Sequence, residues 1–202
     1  MSENSVDRIV WIDCEMTGLD YQNDLLVEVA CIVTDGELNE VGPGFDIVIQ
    51  APQEALDRMD PFVVDMHTAS GLLPEIPLGV TLEEAEKQLF EYITEHVPEA
   101  NKAPLAGSSV HVDRIFLHRD MPQVDSYLHY RIIDVSSIKE LVRRWYPKSY
   151  FASPTKTGNH RALGDIQDSI RELQYYRQAI FVGQPGLDTK SAKKIAEGLT
   201  SN

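Results

Sequence analysis

The stretch that most constrains the fold is Arg8–Leu19, RIVWIDCEMTGL, an apolar run that ends in two acidic residues. If this stretch is a β-strand, its period of two places Asp13 and Glu15 as neighbours on the face that also carries Ile9 and Trp11. The opposite face is apolar and consists of Val10, Ile12, Cys14 and Met16. The stretch therefore predicts a strand with two adjacent carboxylates near its carboxyl end.

Two carboxylates side by side repel each other and lose hydration, which is costly unless something compensates their charge. A divalent cation compensates it directly. The alternative is that Asp13 and Glu15 simply point into water beyond the end of the strand. For an isolated D-x-E pair this alternative is favoured, so the pair has to be judged together with the rest of the chain.

The length of 202 residues and the 43% hydrophobic content predict one globular domain with a sizeable core. We expect this domain to span residues 1–181 and residues 182–202 to form a mobile tail, because the tail shows no clear apolar face. The chain has no signal-peptide pattern and no apolar run of the roughly 18 residues that would span a bilayer, so a cytoplasmic location is expected. Cys14 and Cys31 lie in apolar runs and are predicted to be buried thiols.

The formal net charge of −14 argues against a protein that coats long nucleic acid, since such binding relies on Lys and Arg. The charge is unevenly distributed. Residues 1–60 hold 14 acidic and 2 basic side chains, whereas Arg131–Arg161 holds 7 basic and 2 acidic ones. Part of this basic segment is expected to be an ordinary solvated helix face, and the rest is available to a short anionic ligand.

Apolar periodicity predicts an α/β fold with a mixed five-stranded sheet flanked by helices. Three strands joined by short turns come first, as an antiparallel meander: 8–16, Leu25–Thr34 and Phe45–Gln50. Helices and strands then alternate: helices at Phe62–Ala69 and 82–97, a strand at Pro104–Gly107, a helix with Asp113, a strand at Ile132–Val135, a helix at Ser136–Trp145, a loop at Ser149–Gly158 and a helix at Arg161–Phe181. The first strand is expected to be central, and ligands to collect at its carboxyl end.

Two later patterns complete a candidate metal site. Gly107-Ser-Ser-Val-His-Val-Asp113 places an Asp in a helix after a strand, and His160 precedes Asp165 by five residues at the start of the last long helix. Each pattern alone is weak. Together with Asp13 and Glu15 they supply four carboxylates, a hard oxygen set that suits one or two Mg²⁺ or Mn²⁺ ions rather than Zn²⁺. Two such ions, roughly 3.5–4 Å apart, can stabilise both oxygens of an in-line phosphoryl displacement. An imidazole, with a reference pKa near 6.5, can take the proton of the attacking water.

These motifs resemble those of the DEDDh exonucleases, a family with a ribonuclease H-like fold and 3′-to-5′ exonuclease activity. Within it, the chain resembles the oligoribonuclease family over nearly its whole length to about Phe181. The resemblance rests on four segments: WIDCEMTGLD, MHTASGL, HYRIIDVSSIKELVRRW and H-x4-D. It implies hydrolysis of very short RNAs, mainly dinucleotides, by a homodimer. A substrate this small would not need a long basic groove.

The resemblance also implies the role of each site residue. Asp13, Glu15, Asp113 and Asp165 would bind two Mg²⁺ or Mn²⁺ ions, and His160, in a flexible Gly158-Asn159-His160 segment, would be the general base. The substrate-binding residues would be Leu19 and Phe62 beside the bases, His67, and Ser109, Tyr130, Arg131 and Ser136 at the 5′-phosphate end. Tyr130 and its neighbours would reach in from the other protomer.

The chain departs from the family pattern at two positions. Phe62 stands where Trp is usual, which keeps a stacking face of smaller area, and Ser108 replaces an Asn. Neither change removes a metal ligand. Leu19 and Phe62 could alternatively be core residues, and Tyr130 and Arg131 ordinary residues of an edge strand.

Three other functions remain open from the sequence. The chain could be a DEDDh exonuclease that acts on longer RNA or DNA strands. It could be a phosphatase of the haloacid dehalogenase class, which uses an aspartyl nucleophile, although Asp113, His160 and Asp165 would then have no role. It could also be a non-catalytic module that binds dinucleotides.

Overall fold

The computed structural model describes residues 7–156 and 160–200 and contains a mixed five-stranded sheet. The strands are β1 (Arg8–Met16), β2 (Leu26–Asp35), β3 (Phe45–Val48), β4 (Pro104–Gly107) and β5 (His129–Asp134). Their order is β3-β2-β1-β4-β5, with β1 antiparallel to β2 and parallel to β4. The predicted meander and the central position of β1 are confirmed.

Helices flank the sheet on both sides. They are α1 (Gln53–Leu56), α2 (Pro61–Ala69), α3 (Leu82–His96), α4 (His111–Asp120), α5 (Pro122–Tyr127), α6 (Val135–Trp145), α7 (Pro147–Phe151), α8 (Ala162–Ala179) and α9 (Thr189–Thr200), with a 3-10 turn at Ile76–Leu78. The five longer predicted helices correspond to α2, α3, α4, α6 and α8. The short helices α1 and α5 were not predicted.

The predicted loop Ser149–Gly158 is wrong at its beginning, where the chain forms α7. Pro147 occupies the first helical turn, in which its missing N–H costs nothing, and the Tyr150 N–H donates to the Tyr146 carbonyl at 3.0 Å. The end of this predicted loop, with Gly158 and Asn159, lies outside the described residues.

The two faces of β1 enter different halves of the core, as the strand period predicted. Val10, Ile12, Cys14 and Met16 pack on the side of α3 and α4, whereas Ile9 and Trp11 pack on the side of α6 and α8. Trp11 is fully buried, and its indole N–H donates to Thr34 Oγ1 at 3.0 Å. Cys14 and Cys31 are free and buried, also as predicted.

The segment after residue 181 contains a helix that the sequence analysis did not predict. In α9, Ala192, Ile195, Ala196 and Leu199 follow helical spacing, but every residue of this helix is exposed. That the tail is mobile stays a prediction. Among the described helices, none combines the length and the apolar character needed to cross a membrane.

Candidate active site

Three carboxylates converge at the carboxyl end of β1. Asp13 and Glu15 alternate with buried residues on the strand, and Asp165 lies in the first turn of α8, which packs across β1 and β2. One oxygen from each of the three lies within 4.8 Å of the others. The first and last motifs therefore meet in space, as the sequence predicted.

Asp113 is held directly beside this group. It lies in the first turn of α4, and its Oδ1 accepts a hydrogen bond from the Cys14 backbone N–H at 2.9 Å. Cys14 lies between Asp13 and Glu15, so this bond fixes Asp113 against the strand. Because β1 and β4 are parallel, the loop after β4 leads α4 to the same edge of the sheet. We call Asp13, Glu15, Asp113 and Asp165 the acidic site.

Burial and mutual repulsion raise the pKa values of these carboxyl groups. The pKa of Glu15 rises to about 8, mainly because it is buried and also because Glu28 and Asp165 are close. Burial raises the pKa of Asp113 to about 7 against the hydrogen bonds from Cys14. Burial, followed by repulsion from Asp113, raises the pKa of Asp13 well above its usual range.

The acidic site fits a divalent metal ion. It offers hard oxygen ligands only, and its crowded negative charge lacks enough nearby cations to keep the pKa values of Asp13 and Glu15 in their normal range. The four carboxylates that the sequence analysis identified therefore form a group that can bind a divalent metal ion.

We expect metal ions to stabilise the protein more strongly as the pH rises. The pKa of Glu15 is raised from an ordinary 4.5 to about 8, so its contribution to the stability of the metal-free protein is complete below about pH 4.5 and is lost as the pH rises through about 8. Each unit of such a shift corresponds to about 1.4 kcal/mol. Metal ions bind the deprotonated carboxylates and relieve their repulsion. The increase in Tm caused by Mn²⁺, measured against EDTA, should therefore be larger at about pH 8 than at about pH 6; an increase that is independent of pH would contradict this assignment.

His160 lies exposed immediately before Arg161, the residue at the N-terminus of α8. Its backbone is left-handed, with φ of 48°, a conformation that is uncommon outside glycine and typical of constrained functional positions. Burial raises the pKa of Asp165, and electrostatic interaction with Lys156 and His160 opposes this shift.

Two residues of this region were missed by the sequence analysis as site residues. Glu28 lies opposite Glu15 in the β1–β2 pairing and is 1% exposed. It is the one charged residue within the apolar run Leu25–Thr34, and that interruption was a usable signal. Lys156 was noted only as part of the basic segment, and no spacing rule connects it with the carboxylates.

Leu19 and Phe62 are both 74% exposed, so the alternative that they are core residues is wrong. Phe62 lies in the first turn of α2, and this helix is fixed to the end of β1 by His67. The His67 Nε2–H donates to the Met16 carbonyl oxygen at 2.9 Å, and its Nδ1 lies 3.9 Å from Glu15 Oε2. His67 is fully buried behind Glu15, and its contact with substrate stays a prediction.

Ser109 and Ser136 are brought together at the start of α6. The Ser109 Oγ–H donates to Ser136 Oγ at 3.1 Å, and Asp134 Oδ1 accepts hydrogen bonds from the backbone N–H groups of Ser109 at 2.8 Å and Ser136 at 3.0 Å. Tyr130 and Arg131 lie earlier on β5, the edge strand, and the Arg131 guanidinium lies 5.4 Å from the centre of the exposed Tyr130 ring.

Comparisons with known proteins agree with this geometry. Residues 10–173 match the RNase_T family, described as exonuclease. Among solved structures, Exonuclease I from Methylocaldum szegediense superposes with a TM-score of 0.64 at 20% identity, over 86% of this chain and 41% of that one. The zinc-bound complex of E. coli Exonuclease I with single-stranded DNA gives 0.68 at 14% identity, over 86% and 41%. This chain thus spans about two fifths of those chains, and the likeness shows the ribonuclease H-like fold. The fold and the acidic site define an exonuclease that depends on divalent metal.

Closer relatives specify the family. The oligoribonuclease of Streptomyces griseus is 61% identical over 96% of this chain and 97% of its own length. That of Streptomyces coelicolor is 62% identical over 94% and 95%, and that of Mycobacterium sp. strain KMS is 57% identical over 96% and 90%. This chain belongs to the oligoribonuclease family of exonucleases. The phosphatase alternative is therefore wrong.

Proposed function

We propose that this 3′-to-5′ exoribonuclease hydrolyses very short RNAs, dinucleotides above all, to nucleoside 5′-monophosphates. The observation that carries the proposal is the convergence of Asp13, Glu15 and Asp165 at one edge of the sheet with Asp113 fixed beside them. The names of the curated relatives support the substrate class.

In this proposal the acidic site holds two Mg²⁺ or Mn²⁺ ions. When bound, such ions supply electrostatic stabilisation of the attacking and the leaving oxygen of an in-line displacement. The protein contributes the placement of the ligands. Asp113 cannot rotate freely because the Cys14 N–H holds its Oδ1, and Asp13 and Glu15 are fixed by the strand that carries them. His160 accepts the proton of the attacking water, a role that is compatible with its exposed side chain and with its interaction with Asp165.

The proposed preference for short RNA rests on features at both ends of the substrate. Exposed Leu19 and Phe62 offer apolar surfaces to the bases near the 3′ end. Ser109 and Ser136 offer a pair of adjacent hydroxyl groups beside the N-terminus of α6, which can bind a terminal phosphate. A site that closes on both ends of a substrate favours a fixed, short length.

We also propose that the protein is a homodimer in which β5 lies at or near the contact. Its edge is unpaired within the described sheet, and the exposed apolar side chains of Tyr130 and Ile132 lie on it, with Leu141 and Trp145 exposed on the neighbouring helix α6. Tyr130 would then approach the phosphate end of the partner's substrate. The net charge of −14 is compatible with a small substrate and disfavours a long one.

Hydrolysis of 5′-labelled RNAs from two to seven nucleotides long tests the proposal. We expect cleavage in Mn²⁺ or Mg²⁺, no cleavage in EDTA, and the highest kcat/KM on the dinucleotide. Efficient shortening of longer RNAs that stops at the dinucleotide would contradict the length preference and favour a general exonuclease. Binding without cleavage at any length would favour a non-catalytic module.

A further inference from the structure

A buried carboxylate next to the acidic site, that of Glu28, is bound to the start of α8. Glu28 Oε1 accepts a hydrogen bond from Arg161 Nε at 2.8 Å and lies 2.7 Å from Arg161 Nη2, and its Oε2 accepts a hydrogen bond from the Ala162 backbone N–H at 3.1 Å. Both oxygens are thus occupied by the start of α8. Although Glu28 pairs with Glu15 across the strands, its bonds direct it to this helix and not to metal ions.

Arg161 is held from a second side as well. Its Nη2 lies 2.9 Å from Glu75 Oε2, in the segment that follows α2. A guanidinium that meets one carboxylate through two nitrogens has a fixed orientation, and a second carboxylate restricts it further. We call Glu28, Arg161, Glu75 and the Ala162 N–H the α8 clamp.

The α8 clamp adjoins two proposed functional residues, His160 and Asp165. His160 directly precedes Arg161 and has a left-handed backbone, with φ of 48°, that the surrounding structure has to maintain. The Asp165 N–H donates to the Arg161 carbonyl at 3.1 Å, so the first turn of α8, which carries a metal ligand, begins at the same clamped residue.

We propose that Glu28 and Arg161 are positioning residues that hold His160 in place for catalysis. This inference rests on the proposed role of His160 as general base. Arg161 orients the backbone that leads to His160, and Glu28 orients Arg161. Proton transfer depends steeply on the distance between the base and the attacking water, so a shift of about 1 Å can lower the rate about a hundredfold.

The first test is Arg161→Gln, which removes the guanidinium and its charge from a partly buried position at the N-terminus of α8. On a dinucleotide we expect kcat to fall about 10- to 100-fold, with KM and the Mn²⁺-dependent increase in Tm close to those of the wild type. Arg161→Lys keeps the charge without the two-nitrogen contact and should recover part of the rate.

The matched control is Arg177→Gln. Arg177 also joins α8 to the end of β2, through an ion pair with Glu37, but it lies at the far end of the helix. We expect a smaller loss of stability than for Arg161→Gln, because Glu37 is exposed whereas Glu28 is buried, and we expect no change in kcat. A comparable fall in kcat for both variants would show that any loosening of α8 impairs the enzyme, and it would overturn the specific role of the clamp.

The second test introduces Arg161→Gln into His160→Ala. If the clamp acts through His160, the double variant should be as slow as His160→Ala alone, because the group being positioned is already absent. A further 10- to 100-fold loss would overturn the proposal, as would a wild-type rate for Arg161→Gln. Wild-type turnover by His160→Ala itself would instead refute the general base, so the two failures are distinguishable.

Discussion

Asp13→Asn should lower kcat on a dinucleotide by about a thousandfold or more, the largest effect expected of any single change in this protein. Asp13 contributes an oxygen to the tight carboxylate group, and Asn keeps its shape while removing the charge that binds metal. The variant should also lose most of the Mn²⁺-dependent increase in Tm. Turnover and thermal unfolding with Mn²⁺ and with EDTA measure both effects.

The stability of the metal-free variant separates this explanation from misfolding. Because burial and Asp113 already raise the pKa of Asp13 far above its usual range, removing this charge relieves repulsion and should leave Tm in EDTA unchanged or higher. Asp46→Asn, which removes an exposed carboxylate from β3, is the control and should change neither rate nor metal response. If Asp13→Asn kept both the wild-type rate and the Mn²⁺-dependent increase in Tm, Asp13 would not be a metal ligand.

The central strand could be predicted from the sequence because the pattern that defines it lies within one short segment. The period of two in Arg8–Met16 correctly assigned each side chain to one half of the core and put Asp13 beside Glu15. The meander followed from short turns, and the parallel arrangement of β1 and β4 then brought the loop before Asp113 to the same edge. In these parts, local pattern and tertiary structure agree.

The α8 clamp could not be predicted, because it depends on partners far apart in the chain. Glu28 and Arg161 are separated by 133 positions, and nothing in either segment indicates the other. The exposure of Leu19 and Phe62 was also inaccessible, since an apolar residue next to a turn or in a first helical turn is compatible with both core and surface. The helix α7 was missed because Ser, Thr and Pro dominate the segment after Trp145, although Pro147 is well suited to a first turn.

In the proposed mechanism, proton transfer from the attacking water depends on a single residue, His160. His160→Ala should lower kcat by about 10²- to 10⁴-fold, the usual contribution of a general base. The affinity for a dinucleotide should change little, because the side chain is exposed and the carboxylates proposed to bind metal stay in place. Single-turnover rates and equilibrium binding separate the two quantities.

His118→Ala is the matched control, since this exposed histidine on α4 pairs with Asp125 and lies outside the acidic site. It should retain the wild-type rate. Because His160 is exposed, added imidazole can reach the space that its side chain leaves, and the rate of His160→Ala should rise with imidazole concentration. If the variant is slow, is not restored by imidazole and binds the dinucleotide weakly, His160 acts in substrate binding. The proton acceptor would then be another basic group that interacts with Asp165, such as Lys156.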